Sequence, residues 1–331
     1  MAPLLDVRHL TVDLPTERGW VRPLNDVSLV IEEGQSLGIV GESGSGKTIL
    51  GLSLMGLLPP ATRINGEILL RSRGSGVSLD LPKISKNQFR GLRGRDIAMI
   101  FQEPMTALNP LMRIGAQIEE AILIHEPSCT HRDARRRAVE MLSRVSVPEP
   151  ERIASQFPHQ LSGGLRQRAM IAMALSAHPR LLVADEPTTA LDPTVQKQIL
   201  DLLARLQRDL ALAMIFISHD LAVVSSLAHR IAVMYTGRII EQGTAHQVVR
   251  SPRHPYTEGL LRAIPGMKRE TLHPIPGSVP PLNSLPPGCT FAPRCDFHQP
   301  ECDAAVPEPR EAEPQHVARC ILVPQETASW R

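Results

Sequence analysis

The segment GESGSGKT at residues 41–48 decides the fold. It follows the apolar run SLGIV at 36–40 and precedes an apolar segment from Thr48 with the character of a buried helix. In a loop of this kind, glycines let successive N–H groups point at phosphate oxygens, and the helix adds about half a positive charge. We predict that Lys47 bridges terminal phosphates and that Thr48 binds Mg²⁺. The predicted nucleotide-binding set is Gly41, Glu42, Ser43, Gly44, Ser45, Gly46, Lys47 and Thr48.

A pair of carboxylates ends a second apolar run, LLVADEP at 181–187. Ionised groups at the edge of a core lose solvation, so the pair needs a function or partners. We expect Asp185 to reach the magnesium shell and Glu186 to orient or deprotonate the attacking water. An acidic pair at a helix N-terminus is the alternative, because Pro187 follows. That alternative does not explain the apolar strand before the pair.

Three shorter motifs complete the pattern. FQEP at 101–104 places Gln102 after an apolar run, where its amide can touch both magnesium and water. SHD at 218–220 places His219 after the strand AMIFIS, where it can contact the terminal phosphate, although such a histidine is more often structural. LSGGL at 161–165 puts Ser162, Gly163 and Gly164 at a helix start, which predicts a second anion site. Two chains that sandwich ATP would each supply what the other lacks.

Composition bounds the function. The chain has 331 residues, 42% hydrophobic content and a formal net charge of +2, which suit a globular protein and weigh against a dedicated nucleic-acid binder. No apolar run approaches the ~18 to 20 residues that span a bilayer. The N-terminal MAPLLDVRHL lacks the features of a secretion signal, so we do not expect secretion. Strands that alternate with helices predict an α/β fold with a parallel sheet covered on both faces.

These motifs resemble the ATP-binding subunits of ABC transporters over about residues 4–243. The resemblance implies a P-loop NTPase with a RecA-like parallel core, N-terminal antiparallel strands, an inserted helical subdomain and a small C-terminal appendage. We expect the cassette core at 1–102 and 166–243, the helical subdomain with LSGGL at 103–165, and the Cys/Pro-rich tail at 244–331. The resemblance also implies that the chain binds ATP and Mg²⁺ and hydrolyses ATP. Two such subunits would close head to tail on ATP, and this motion would drive a separate pair of membrane subunits.

The tail makes the resemblance more specific. HPYTEGLLRAIPG at 254–266 and PPGCTFAPRC at 286–295 are similar to the tail of oligopeptide and dipeptide transporter ATPases. This branch implies a second, paralogous ATP-binding subunit, two transmembrane permeases and an extracytoplasmic solute-binding protein, without nucleic acid. The chain would be peripheral, on the cytoplasmic face of the membrane. Uptake of nickel or another small solute, or a non-transport cassette acting on nucleic acid or ribosomes, remains the alternative.

Two positions depart from the family pattern. Leu165 replaces the glutamine or methionine that usually ends the LSGGL-type motif, while the serine and glycines remain. The adenine-stacking aromatic is the other uncertain position. Trp20 is the best candidate, although an anchor for a surface loop is nearly as good an interpretation.

Four cysteines lie in the Pro-rich tail, at Cys289, Cys295, Cys302 and Cys320. A cytosolic setting disfavours disulfides, and the spacings do not match a CxxC zinc ribbon. Related transporter ATPases bind a [4Fe-4S] cluster through such a tail, so the resemblance favours a cluster over zinc or an empty site.

Overall fold

The computed structural model describes residues 2–17, 19–74, 76–264 and 275–324. The last two residues of the HPYTEGLLRAIPG match therefore lie outside the described residues. The strands are β1 (Leu5–Thr16), β2 (Gly19–Ile31), β3 (Ser36–Val40), β4 (Arg63–Arg71), β5 (Ser78–Asp80), β6 (Ile97–Ile100), β7 (Leu181–Asp185), β8 (Ala213–Ser218), β9 (Arg230–Tyr235), β10 (Arg238–Thr244), β11 (Arg310–Glu313) and β12 (His316–Ala318).

The helices begin with α1, which directly follows the GESGSGKT loop. They are α1 (Lys47–Leu54), α2 (Lys86–Leu92), α3 (Pro104–Ala107), α4 (Ile114–His125), α5 (His131–Arg144), α6 (Pro150–Ala154), α7 (Gly163–Leu175), α8 (Pro193–Asp209), α9 (Leu221–Leu227), α10 (Ala245–Arg250), α11 (Pro255–Arg262) and α12 (Glu301–Ala304). None of the helices within the described ranges is long and apolar enough to cross a bilayer.

The chain forms two compact units. The phosphate-loop unit comprises residues 1–71, 76–83 and 216–331, and the signature unit comprises residues 72–75 and 84–215. The three-part division expected from the sequence stays a prediction.

The phosphate-loop unit contains two groups of paired strands. An antiparallel sheet has the order β2-β1-β4-β5. Buried residues of β1 alternate as the period of a strand requires, first Leu5 and Val7 and then, beyond a register shift, Leu10 and Val12. In the second group, β3 pairs in parallel with β9, and β9 forms a hairpin with β10. The hairpin turn has φ of 42° at Thr236 and 81° at Gly237, which is the type I′ geometry that two-residue hairpins prefer.

The C-terminal tail joins the same group of strands. β12 pairs antiparallel with β10, with Gln242 opposite Val317, and β11 adds outside β12. Next to this edge, Ala318, Cys320 and Val323 form a small buried cluster. The tail thus shares its hydrogen bonds and its core with the unit that carries the phosphate loop.

The signature unit combines two parallel strands with a set of helices. β6 pairs with β7 from Ile97 opposite Leu181 to Ile100 opposite Ala184. Helix α5 begins at the capping residue Thr130 and buries one stripe that includes Ala134 and Leu142. The run Arg132–Arg137 lies on α5, where Arg136 is exposed and pairs with Glu140 one turn later.

Candidate functional site

The GESGSGKT loop connects β3 to α1 and surrounds the ammonium group of Lys47. All five residues of β3 are buried, so the loop leaves a fixed strand end. Lys47 Nζ donates to the carbonyl oxygens of Gly41 and Glu42 at 2.7 and 2.9 Å. The lysine is 6% exposed. A cation is therefore held against the loop that the sequence assigns to terminal phosphates.

Close approach of the backbone requires glycine at both ends of this loop. A Cβ atom on Gly41 would lie 2.2 Å from the carbonyl oxygen of Met234, and one on Gly46 would lie 2.4 Å from that of Pro23. Gly46 also has φ of 100°, a region that L residues rarely adopt. The glycines thus let the loop pack directly on β9 and β2, and larger residues would displace it.

His219 belongs to the phosphate-loop unit, one residue beyond β8. The six residues of β8 are buried, and Asp220 then caps α9 by accepting from the N–H groups of Ala222 and Val223. A strand end and a capped helix start thus fix the backbone on both sides of the histidine. Its role at the terminal phosphate stays a prediction.

Glu186 is the first residue after the buried strand β7, and two donors hold its carboxylate. Gln102 Nε2 donates to Glu186 Oε2 at 3.2 Å, and Thr189 Oγ1 donates to the same oxygen at 2.8 Å. The backbone of Glu186 is left-handed, with φ of 44°, a conformation that non-glycine residues adopt mainly in turns and functional sites. Asp185, at the end of β7, is 2% exposed. The signature unit thus brings Gln102 and Glu186 into contact. Their roles at magnesium and at the attacking water stay predictions.

Ser162 lies at the N-cap of α7. Its hydroxyl accepts from the N–H of Leu165 at 3.4 Å, and Gly163 and Gly164 form the first turn. A Cβ atom on Gly164 would lie 2.8 Å from Val195 Cγ1, so this turn packs tightly against α8. The predicted second anion site is therefore the capped N-terminus of a helix of 13 residues. The first backbone N–H groups of such a helix have no carbonyl partner within the helix and can bind an anion.

Trp20 lies on β2 and is 46% exposed. The guanidinium carbon of Arg63 lies 3.9 Å from the centre of its ring, a cation–π contact that covers one face. Stacking of adenine on Trp20 stays a prediction, and only the opposite face of the ring could take part in it.

Sequence reasoning missed three residues that touch the predicted site. Thr189 binds Glu186, Tyr256 Oη accepts from the N–H of Glu42 at 2.8 Å, and Arg294 binds the Glu42 carboxylate. Burial raises the pKa of Tyr256, so this phenol stays neutral. Tyr256 and Arg294 lie within the two tail segments that carry the resemblance. The family resemblance of those segments was the one sign in the sequence that Tyr256 and Arg294 matter. Nothing in the segments indicates contact with a loop that lies far away in sequence.

The four tail cysteines line one apolar cavity of about 10 Å³, together with Phe291. All four are free thiols. Burial raises the pKa of Cys289 and Cys295 and raises that of Cys320 to about 11. Among the described residues, no three His, Cys, Asp or Glu side chains are arranged to hold one metal ion.

The sequence matches the models of two known protein families. Residues 24–189 match the model of the ABC transporter family, and residues 240–302 match the model of the C-terminal region of oligopeptide/dipeptide transporters. The chain belongs to the ABC transporter family, in its oligopeptide/dipeptide branch. This confirms the predicted resemblance, including its more specific tail. Both regions occur in this one ABC protein.

Full-length relatives and solved structures agree with this assignment. The ABC protein is 49% identical to a peptide import ATP-binding protein of Brucella melitensis, over 96% of this chain and 97% of that one. It is 46% identical to another of Brucella abortus, over 91% and 90% of the two chains. Dimeric MJ0796 bound to ADP and Pi matches with 26% identity and a TM-score of 0.64, over 73% of this chain and 98% of that one.

A second solved neighbour is cbiO1 from Clostridium perfringens, part of the ABC transporter complex cbiONQ. It matches with 26% identity and a TM-score of 0.62, over 76% of this chain and 92% of that one. Both neighbours are ABC cassettes, so the predicted α/β fold of the P-loop NTPases is confirmed.

Proposed function

We propose that this ABC protein hydrolyses ATP to ADP and phosphate and couples the reaction to uptake of dipeptides or oligopeptides. The observation that carries the hydrolytic part is the carboxylate of Glu186, oriented by Gln102 and Thr189 at the end of a buried strand. A water-activating carboxylate needs a fixed direction, and two donors supply it. The match to the tail region and the names of the full-length relatives support peptides as the cargo.

The residues proposed to hold Mg²⁺ are Thr48, Gln102 and Asp185. Their hydroxyl, amide and carboxylate oxygens are the hard donors that Mg²⁺ prefers, and nucleotide phosphates and water complete its shell in such sites. Bound Mg²⁺ neutralises charge on the phosphates. The buried carboxylate of Asp185 fits this role, because a carboxylate at a core edge is stabilised by a cation. Lys47 binds the terminal phosphates, and His219 holds the water and Glu186 in line.

The second anion site supports a two-subunit ATPase. Ser162, Gly163 and Gly164 would contact the ATP bound to the loop of a facing subunit, which we infer to be a paralogue. The similar MJ0796 cassette, with ADP and Pi bound, is dimeric.

Exposed apolar side chains support a permease partner. Met105 and Leu111, 46% and 86% exposed, follow Gln102 closely in sequence, and Ile124 on α4 is 62% exposed. Water-facing side chains of this kind favour a protein partner. We propose that cytoplasmic helices of two permeases cover them at the inner face of the membrane, and that a solute-binding protein delivers the cargo outside.

The four tail cysteines are proposed to hold a [4Fe-4S] cluster, with zinc as the alternative. All four line one cavity, and a donor set made only of thiols suits iron and sulfide. Metal binding would have to rearrange the thiols, because no three of them are placed to hold one ion among the described residues. Anaerobically purified protein should contain iron with sulfide and absorb visible light broadly. About one equivalent of zinc without iron would reject the cluster.

Reconstitution tests the transport proposal. In liposomes with both permeases and the second ATPase subunit, peptide-loaded binding protein should stimulate ATP turnover, and Glu186→Gln should reduce it by about a hundredfold or more. Stimulation by a nickel-loaded binding protein alone would reassign the cargo. Stimulation by DNA or ribosomes without permeases would overturn the transport function.

A further inference from the structure

Glu42, the second residue of the GESGSGKT loop, is bound by the C-terminal tail. Arg294 Nη1 and Nη2 donate to the two carboxylate oxygens of Glu42 at 2.7 and 3.0 Å, across 252 residues of sequence. This is the two-pronged geometry that makes arginine–carboxylate pairs strong and directional. The side chain of Arg294 is 4% exposed and that of Glu42 is 31% exposed. The guanidinium group of Arg294 is therefore buried, and the carboxylate of Glu42 is partly exposed.

Arg294 is itself held in place. Its Nε donates to the carbonyl oxygen of Pro276 at 2.8 Å, and Nη1 also donates to Tyr235 Oη at 3.2 Å. The hydrogen bond to Glu42 is the main reason that the pKa of Arg294 is raised. The guanidinium group thus carries a permanent positive charge at a fixed position. A flexible ion pair on the surface would lack the hydrogen bonds to Pro276 and Tyr235.

The same tail segment also supports the other end of the loop. Thr290 and Thr236 share a hydrogen bond of 2.6 Å between their hydroxyl groups, and the next residue, Gly237, donates its N–H to the carbonyl oxygen of Ser45 at 2.9 Å. Phe291 packs against the rings of Tyr235 and Tyr256 at 5.5 and 5.3 Å. Residues 290–294 therefore support the loop at two places, directly at Glu42 through Arg294 and indirectly at Ser45 through Thr236 and Gly237.

The charge of Glu42 gives this contact a consequence for nucleotide binding. A carboxylate within an anion-binding loop repels a triphosphate unless a cation neutralises it. We propose that Arg294 is a positioning residue of the ATP site, which neutralises Glu42 and fixes the loop in its binding conformation. The tail then contributes directly to nucleotide binding, in addition to marking the branch of the family. This inference rests on the proposed ATP binding.

A double-mutant cycle on the full-length chain tests the proposal. Dissociation constants for MgATP and MgADP are measured by calorimetry for wild type, Arg294→Met, Glu42→Gln and the double variant. Arg294→Met should weaken MgATP binding about tenfold, and MgADP binding less, because ADP carries less charge. Glu42→Gln is the reference of the cycle, because its MgATP affinity includes whatever the Glu42 side chain itself contributes to the loop. The double variant should bind MgATP within about threefold of Glu42→Gln, because the unpaired carboxylate is gone.

Two outcomes overturn the proposal. One is unchanged MgATP binding in Arg294→Met. The other is a loss of affinity from Glu42→Gln to the double variant as large as the loss from wild type to Arg294→Met, which would reduce the pair to a structural contact. Arg253→Met is the matched control, because it removes another tail ion pair, with Glu313, and should leave binding unchanged. If Arg294→Met does not fold, Arg294→Lys replaces it and should weaken binding by a smaller factor, and unchanged binding there also rejects the proposal.

Lys47→Ala separates this inference from the proposed function. A large loss of MgATP binding in Lys47→Ala with no loss in Arg294→Met would reject only the tail contact. Unchanged binding in Lys47→Ala would reject the ATP site itself.

Discussion

Thr189 is one of the residues that orient the carboxylate of Glu186. Its hydroxyl donates to Glu186 Oε2, the oxygen that also accepts from Gln102, so both donors converge on one atom. With Oε2 held by these hydrogen bonds, the orientation of the other carboxylate oxygen, Oε1, is restricted as well. A water-activating group in this arrangement depends on Thr189 although the threonine itself need not touch the substrate.

Thr189→Val preserves the shape of this side chain and removes its hydroxyl. We expect kcat to fall about three- to tenfold, the effect of one lost hydrogen bond, while KM for ATP stays near the wild-type value. Steady-state ATPase kinetics of the assembled transporter provide the measurement. Thr188→Val is the control, since the carbonyl of Thr188, which accepts from Leu191, stays in place. A larger change in KM than in kcat would contradict a role in orienting Glu186.

Residues of the predicted site differ in how visible they are in the sequence. Gln102 and Glu186 end apolar runs, where a polar group is costly, and the structure does bring them together. Thr189 and Arg294 carry no such mark. Threonine is common in turns, and the partner of Arg294 lies 252 residues away, a separation that local pattern cannot connect. The roles of the site residues in catalysis stay predictions.

Among the elements, those with strong periodicity or turn chemistry were predictable. The strands LLVAD and AMIFIS occur where the sequence indicates them. The segment IAVMYTGRIIEQG has two apolar runs on either side of Thr236 and Gly237, a pattern typical of a hairpin, and it forms one. β12 was not predicted, because three residues are too few to show alternation. Its place beside β10 depends on long-range pairing and on the buried contact between Glu241 Oε1 and His316 Nε2, which lie 2.7 Å apart.

Helix α11 starts from a buried histidine, which makes this element sensitive to pH. His254 Nδ1 accepts from the N–H of Tyr256, and the backbone N–H of His254 donates to Glu241. Burial lowers the pKa of His254 to about 4, although Glu241 opposes the shift. In the unfolded chain the pKa of this histidine is about 6.5. Between pH 6.5 and pH 4, His254 is therefore protonated in the unfolded chain and neutral in the folded chain. The stabilisation is present above pH 6.5 or so and is lost as the pH falls toward 4.

His254→Asn keeps an N-cap acceptor and removes the titrating ring. From about pH 7.5 to about pH 5, wild type should lose about 2 kcal/mol more stability than the variant. Chemical denaturation at each pH measures the difference, and a constant offset from the smaller side chain does not affect the comparison. The exposed His246 on α10 provides the control, because His246→Asn should keep the wild-type pH dependence. Parallel pH profiles of wild type and His254→Asn would contradict this assignment.

At the scale of the whole molecule, the chain holds one phosphate loop and one LSGGL motif. If each Ser162 serves ATP bound by a facing subunit, association must depend on both ATP and Ser162. Nucleotide then acts as part of the interface, and its phosphate charge is stabilised by two helix N-termini, α1 from one subunit and α7 from the other. Hydrolysis removes that link, which is how an ATPase cycle would open and close a membrane pair.

The test uses Glu186→Gln as the background, since slow turnover preserves ATP. With MgATP, light scattering should show a mass of about twice the 36.4 kDa of one chain, or a one-to-one complex when the paralogous subunit is supplied. Adding Ser162→Ala should abolish the association. Because that substitution also removes a helix cap worth about 1 kcal/mol, Thr130→Ala at the cap of α5 is the matched control and should still associate. ATP-dependent association that survives Ser162→Ala would show that α7 does not face the nucleotide of a second subunit.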